Sequence, residues 1–169
     1  MPNMTSEKKA RLVAGGNRIV NDKEDIYSGV VCMDTVRIGL FLGELYGFSC
    51  CAWNIGNAFL YGIIKEKVYI ITCPEFAASL HRINLIVDEP LYGLKTSTAR
   101  SQEHFSESLL RLDFKKTKHD PDLWMVDKSS HYEYLVTCMD DILIWSKDPM
   151  VEIKSLEKTY LSKSVGIPE

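Results

Sequence analysis

Residues 134–145 read YLVTCMDDILIW, and this stretch decides the fold class. Two β-prone runs, Tyr134 to Met139 and Ile142 to Trp145, flank the pair Asp140-Asp141. Runs rich in β-branched and aromatic residues around a short polar break are typical of a β-hairpin. We therefore predict two antiparallel strands with both aspartates at the tip between them.

The aspartate pair is the first candidate for chemistry. Two adjacent carboxylates beside an apolar sheet repel each other while both stay ionised. A divalent cation such as Mg²⁺ resolves that conflict, because it takes one or two protein carboxylates and completes its shell with phosphates and water. Aspartate is also common in exposed turns, so the pair by itself leaves a metal site and a solvated turn as alternatives.

A helix is predicted upstream, where Ile38, Phe41, Leu42 and Leu45 recur at helical spacing and Gly47 stands at the stop position. Asp34 or Thr35 is its expected cap, and its apolar residues are expected in the core. Two more helices are predicted, one starting at Ser101 and ending near Asp113, the other starting at Pro149 behind the cap Asp148. Further strands are predicted at Phe48 to Trp53, Val68 to Thr72, Ile83 to Val87 and Leu123 to Val126.

The order of these elements lacks strict βαβ alternation, which favours an α+β fold with a mainly antiparallel sheet. We expect helices on one face of the sheet and the other face open to a ligand. The length of 169 residues, with 46% hydrophobic and 25% charged residues, predicts a single domain over 1–169 and excludes a disordered or disulfide-scaffold protein.

Charge and cysteine content narrow the function classes. The net charge of -3 excludes a global positive field for nucleic acid, so such binding needs a local basic patch. The basic stretch is 8–23, in which Lys9 and Arg11 stand near the start; a solvated arm is the alternative interpretation. The five cysteines have no zinc or disulfide spacing, and no signal peptide or membrane span is evident, which predicts an intracellular protein, cytoplasmic or nuclear, without membrane contact.

Five short motifs together resemble the reverse transcriptases (RNA-directed DNA polymerases) of copia-type retrotransposons. In chain order they are KARLVA at 9–14, AFLYG at 58–62, LYGLK at 91–95, FKK at 114–116 followed by Asp120-Pro121, and DDILI at 140–144. One such pentamer would be a weak signal, but five in order cover nearly the whole chain.

This resemblance implies a right-hand polymerase fold, with 1–47 like the fingers, 48–169 like the palm and no thumb. It implies a template-primer and a deoxynucleoside triphosphate as partners, and a polyprotein context whose integrase and RNase H lie outside this chain. In the family, three acidic residues hold two Mg²⁺ ions for nucleotidyl transfer. Asp140 and Asp141 match two of the three, and Lys9 and Arg11 become candidate triphosphate contacts.

Three positions depart from the family pattern. Asn54 stands where the first catalytic aspartate is expected, Thr96 replaces a glutamine that contacts the nucleotide, and Cys138 replaces the hairpin tyrosine. A neutral amide in place of a carboxylate removes one full charge from the metal pair, which predicts an inactive enzyme. The alternatives are a non-catalytic retrotransposon remnant that binds nucleic acid or a partner, and a chain without a selected function.

Overall fold

The computed structural model describes residues 12–16, 29–65, 67–73 and 78–167. Its helices are α1 (Met33–Tyr46), α2 (Ser97–Arg111) and α3 (Pro149–Leu156), and its strands are β1 (Ser49–Ile55), β2 (Val68–Ile71), β3 (Asn84–Val87), β4 (Lys115–Lys116), β5 (Leu123–Asp127), β6 (Tyr132–Cys138), β7 (Asp141–Ser146) and β8 (Ser162–Gly166). Short 3₁₀ turns lie at Ala58–Tyr61 and Ala78–Leu80. None of these helices is long and apolar enough to cross a membrane.

Six strands form an antiparallel sheet in the order β4-β5-β6-β7-β1-β8, and β2 pairs with β3 in a separate hairpin. The predicted α+β class with an antiparallel sheet is confirmed. The central hairpin β6-β7 is also confirmed, but its turn is Met139-Asp140, because Cys138 and Asp141 are still paired. Asp141 is therefore the first residue of a strand, and β1 lies against it.

Alternate residues of the central strands build the main core on one face of the sheet. Trp53 of β1 lies opposite Ile142 of β7, and both are 1% exposed. Leu109 of α2 and Ile153 of α3 pack into the same cluster and are fully buried. Because each buried Leu or Ile stabilises the fold by about 1.5–3 kcal/mol relative to exposure, this face carries much of the stability.

Helix α1 lies on the opposite face, so the expectation of helices on one face only is wrong. Its buried residues are Gly39 and Gly43, which pack on the indole of Trp145. Trp145 alternates with the core residue Ile144 along β7 and so faces away from α2 and α3. The two glycines allow the helix backbone to approach the indole closely, and this contact fixes the side that α1 presents to the sheet.

The apolar residues of α1 consequently point away from the core. Ile38, Phe41 and Leu45 are 56%, 66% and 61% exposed, contrary to their prediction as core residues. The bounds of α1 are close to prediction, since Gly47 ends it with a φ of 64°.

The start of α1 is capped from a distance rather than by Asp34 or Thr35. The carboxylate of Asp120 accepts hydrogen bonds from the Cys32 N–H at 3.1 Å and the Thr35 hydroxyl at 2.6 Å. Burial on its own raises the pKa of Asp120, but these bonds and one from the Asp122 N–H outweigh it and lower the pKa. An ionised Asp120 thus ties the first turn of α1 to the loop before β5.

Candidate functional site

The hairpin tip between β6 and β7 has a strained turn. Met139 has a φ of 58°, a left-handed conformation that costs a residue with a Cβ about 1–2 kcal/mol. The main-chain oxygen of the next residue, Asp140, accepts a hydrogen bond of 2.9 Å from the Ile55 N–H. The tip is therefore held by a hydrogen bond from the end of β1 as well as by the pairing between β6 and β7.

Asn54 and Asp141 are direct partners in the β1-β7 register, so their side chains emerge side by side on the α1 face of the sheet. The Asn54 Nδ2 donates a hydrogen bond of 2.5 Å to Asp141 Oδ1. The Asn54 Oδ1 is buried and has no hydrogen-bond partner among the described residues. The amide thus presents a hydrogen, not an oxygen, to the carboxylate.

Cys138 of β6 is paired with Asp141 across the hairpin, so Asn54, Asp141 and Cys138 lie side by side on three neighbouring strands. Partial burial raises the pKa of the Cys138 thiol, and the nearby carboxylates, Asp141 first, raise it further. The thiol is therefore a neutral neighbour of Asp141 and not a nucleophile at neutral pH.

A groove of about 450 Å³ opens beside Asn54 and Asp141. The segment before α1 forms one wall, where Val30 makes a bridge to Cys138. Its other apolar walls come from Met33 and Leu143. The site is thus bordered by an apolar groove between the first turn of α1 and the sheet.

Asp140 borders a different and much smaller cavity of about 20 Å³, which has room for a single water. That cavity lies toward α2 and is also lined by Gln102, Thr137 and Tyr160. The two neighbouring aspartates therefore face separate spaces, one on each side of the hairpin.

A buried polar network under the hairpin was missed by the sequence prediction, which treated 119–122 only as a turn. Asp122 is 2% exposed and accepts hydrogen bonds from Gln102 Nε2 at 2.6 Å and the Thr137 hydroxyl at 3.3 Å. Burial raises the pKa of Asp122, and the charge of Asp120 raises it further. A pair of aspartates flanking a proline is the only sequence signal that could have indicated it.

Of the remaining predicted contacts, only Thr96 is described, and it is not brought to Asp141. Thr96 lies at the start of α2, is 3% exposed and lines neither cavity. Lys9 and Arg11 lie outside the described residues.

The segment just after Lys9 and Arg11 is described, and it joins two of the motifs. The Ala14 N–H donates to the oxygen of Tyr92 at 2.7 Å, in a parallel bridge between Val13 and Tyr92. Gly93 has a φ of 89°, and a Cβ there would lie 2.2 Å from the Ala14 oxygen. The glycine of the LYGLK motif is thus required by close backbone contact with residues 13–14.

Comparison with known proteins identifies the family of this chain. The sequence model of the reverse transcriptase (RNA-dependent DNA polymerase) family matches residues 3–165. The chain belongs to the reverse transcriptase family. It is 29% identical over 153 residues to the "Retrovirus-related Pol polyprotein from transposon RE1" of Arabidopsis thaliana, which is 88% of this chain and 10% of that protein.

Two further relatives come from a second plant and from yeast. The "Retrovirus-related Pol polyprotein from transposon TNT 1-94" of Nicotiana tabacum is 28% identical over 94% of this chain and 12% of its own length. The "Transposon Ty1-NL2 Gag-Pol polyprotein" of Saccharomyces cerevisiae is 28% identical over 95% of this chain and 9% of its own. The resemblance to copia-type elements is confirmed, and the chain spans about a tenth of the length of these relatives.

The donor set of this reverse transcriptase domain does not fit a pair of metal ions. Within the described part of the chain, no group of three or more His, Cys, Asp or Glu residues could hold a metal. Asn54 offers its N–H to Asp141, and Asp140 borders a separate cavity. A pair of Mg²⁺ ions needs carboxylates that converge on one place, and among the described residues Asp140 and Asp141 border different cavities and no third acid joins them.

Proposed function

We propose that this chain is the reverse transcriptase segment of a retrotransposon Pol polyprotein whose nucleotidyl-transfer site is inactive. The six-stranded sheet with its Asp140-Asp141 hairpin corresponds to the palm over 48–169, and 1–47 corresponds to the fingers. Support comes from the family match, from the names of the relatives and from the position of the aspartates at the β6-β7 tip.

The observation that carries the inactivity is the hydrogen bond from Asn54 Nδ2 to Asp141 Oδ1. The family reaction is RNA-directed DNA synthesis, in which two Mg²⁺ ions, held by three acids, join a nucleotide to the primer 3′-hydroxyl. Here one acid is a neutral amide, and that amide uses an oxygen of a second. A loss of several kcal/mol of transition-state stabilisation lowers the rate by orders of magnitude, since each 1.36 kcal/mol is about tenfold.

Binding of nucleic acid survives in this proposal even though catalysis does not. Lys9 and Arg11 remain candidate contacts for phosphates, and the shorter Thr96 weakens the positioning of the nucleotide. A non-catalytic protein that holds template-primer is therefore the second candidate function, supported by the contact of residues 13–14, which follow Lys9 and Arg11 in the chain, with the LYGLK motif.

Extension of a primed RNA template by the whole chain with Mg²⁺ tests the inactivity. We expect the unaltered chain to extend the primer no faster than the Asp141→Asn variant does. The Asn54→Asp variant should extend it faster. Extension by the unaltered chain at the rate of Asn54→Asp would contradict the proposal. If neither the unaltered chain nor Asn54→Asp extends the primer, the defect lies at another position, and Thr96 is the first candidate.

Template-primer binding tests the second candidate separately. We expect affinity that falls steeply with salt, because phosphate contacts release counterions. Lys9→Ala with Arg11→Ala should weaken binding and flatten the salt dependence. Absence of binding at low salt would exclude this function.

A further inference from the structure

The contact between Asn54 and Asp141 has a defined chemical direction. An amide shows either its N–H or its oxygen to a neighbour, and the two orientations differ by a flip of the side chain. Beside a bare carboxylate only the N–H orientation is attractive, because two oxygens would repel each other. The 2.5 Å contact between Asn54 Nδ2 and Asp141 Oδ1 is thus set by the charge of Asp141.

The flip has a second consequence for the Asn54 oxygen. With the N–H facing Asp141, the Asn54 Oδ1 is left buried without a partner among the described residues. An unpaired buried acceptor is unfavourable, so this orientation carries a cost that the hydrogen bond to Asp141 must offset. The orientation that donates to Asp141 therefore leaves the Asn54 oxygen without a partner among the described residues.

An aspartate at position 54 would behave in the opposite way. The register places residues 54 and 141 directly opposite each other, so two carboxylates would face each other across β1 and β7. Like charges at a direct cross-strand position are destabilising unless a cation or a shared proton lies between them. The metal-free domain would then be strained at the place where the hairpin tip meets β1.

We propose that Asn54 and Asp141 form an amide–carboxylate clasp that makes the stability of this domain independent of divalent metal. The proposal rests on the proposed function only in its assignment of this place as the former metal site. The clasp, together with the main-chain bond from the Ile55 N–H to the Asp140 oxygen, fastens the hairpin tip to β1 without an ion.

Thermal unfolding of the whole chain in EDTA and in millimolar MgCl₂, at matched ionic strength, tests the clasp. We expect the same melting temperature for the unaltered chain in both buffers. Asn54→Asp should melt at a temperature lower by about 4 °C in EDTA and regain much of this loss in Mg²⁺, because a ligand that binds only the folded state raises its stability.

The matched control exchanges the two groups. The double variant Asn54→Asp/Asp141→Asn keeps one amide and one carboxylate at the same cross-strand position. It should melt close to the unaltered chain and show no response to Mg²⁺. If Asn54→Asp alone does not fold in EDTA, the unaltered chain and the exchanged pair still decide the question.

Two outcomes would overturn the clasp. One is a melting temperature of the unaltered chain that rises with Mg²⁺ as much as that of Asn54→Asp, which would mean that a cation is held despite the amide. The other is an Asn54→Asp variant that is as stable as the unaltered chain in EDTA and whose melting temperature does not change with Mg²⁺. Neither depends on primer extension, so an active chain would overturn the proposed inactivity while the melting data judge the clasp separately.

Discussion

The substitution Gly39→Ala tests why α1 lies on the far face of the sheet. A Cβ at residue 39 would lie 2.7, 2.8 and 2.9 Å from three atoms of the Trp145 ring. At residue 43 a Cβ would meet one ring atom at 2.8 Å, with the next atoms at 3.6 Å. Trp145 is 1% exposed, so its ring has no free space into which it can move.

Two effects of opposite sign decide the result. Alanine in a helix interior is more favourable than glycine by about 1 kcal/mol. Overpacking of a well-packed contact costs about 1–3 kcal/mol, and the simultaneous approach to three ring atoms places residue 39 toward the upper end. We therefore expect Gly39→Ala to lower the free energy of unfolding by about 1–2 kcal/mol, and Gly43→Ala to lower it by less.

Urea denaturation of Gly39→Ala, Trp145→Phe and the double variant measures the contact directly. Phenylalanine removes the outer ring atoms that the new Cβ would touch, and it also removes a buried indole N–H without a partner among the described residues. In the Trp145→Phe background, Gly39→Ala should become stabilising by the helix preference of about 1 kcal/mol. Stabilisation of the same size in both backgrounds would refute the packing of α1 on Trp145.

Three further predictions concern the interior and the hairpin. Glu133→Gln should destabilise by about 1–3 kcal/mol at neutral pH, because Glu133 is 5% exposed and its negative charge lies 3.8 Å from Lys128 Nζ, whereas a neutral amide keeps only the hydrogen bond from the Lys147 N–H. Burial alone raises the pKa of Glu133, but its hydrogen bonds outweigh burial and lower the pKa below the usual value. The loss of stability in Glu133→Gln should therefore shrink in urea titrations as the pH falls below the usual glutamate range. Tyr160→Phe should cost about 1–2 kcal/mol by removing the contacts of its hydroxyl with the Ser108 hydroxyl at 2.8 Å and with His104 Nδ1 at 2.9 Å, and Ser108→Ala added to it should cost little more in the same assay. Met139→Gly should raise the free energy of unfolding by about 0.5–1 kcal/mol, since relief of the 58° φ exceeds the entropy cost of glycine; a loss of stability would contradict this.

The sequence predicted the parts of the fold that depend on local pattern. The β-prone runs around Asp140-Asp141 predicted the central hairpin, and Gly47 predicted the end of α1. The cap of α3 was also predicted, since Asp148 accepts a hydrogen bond from the Met150 N–H at 3.2 Å. In each case the signal lies within a few residues of the structure that it specifies.

The parts that failed depend on contacts distant in sequence. Hydrophobic periodicity selects the face of α1 that carries Phe41, but a glycine facing a tryptophan 106 positions away contributes nothing to that pattern. Helix α2 begins at Ser97 and not Ser101, and the Ser101 hydroxyl donates to the Ala58 oxygen at 2.7 Å instead of capping the helix. Strand β8 was missed because all five of its residues are exposed, as expected at a sheet edge without alternation.

The candidate site shows the same division. Motif resemblance assigned Asn54 and the two aspartates, but only the β1-β7 register shows that Asn54 donates to Asp141 and that Asp140 faces the other side of the hairpin. The tip is fastened to β1 by the Asn54 amide and by the Ile55 N–H, so these two hydrogen bonds hold it without an ion. The melting temperature therefore reports directly on the contact between Asn54 and Asp141, whether or not the chain extends a primer.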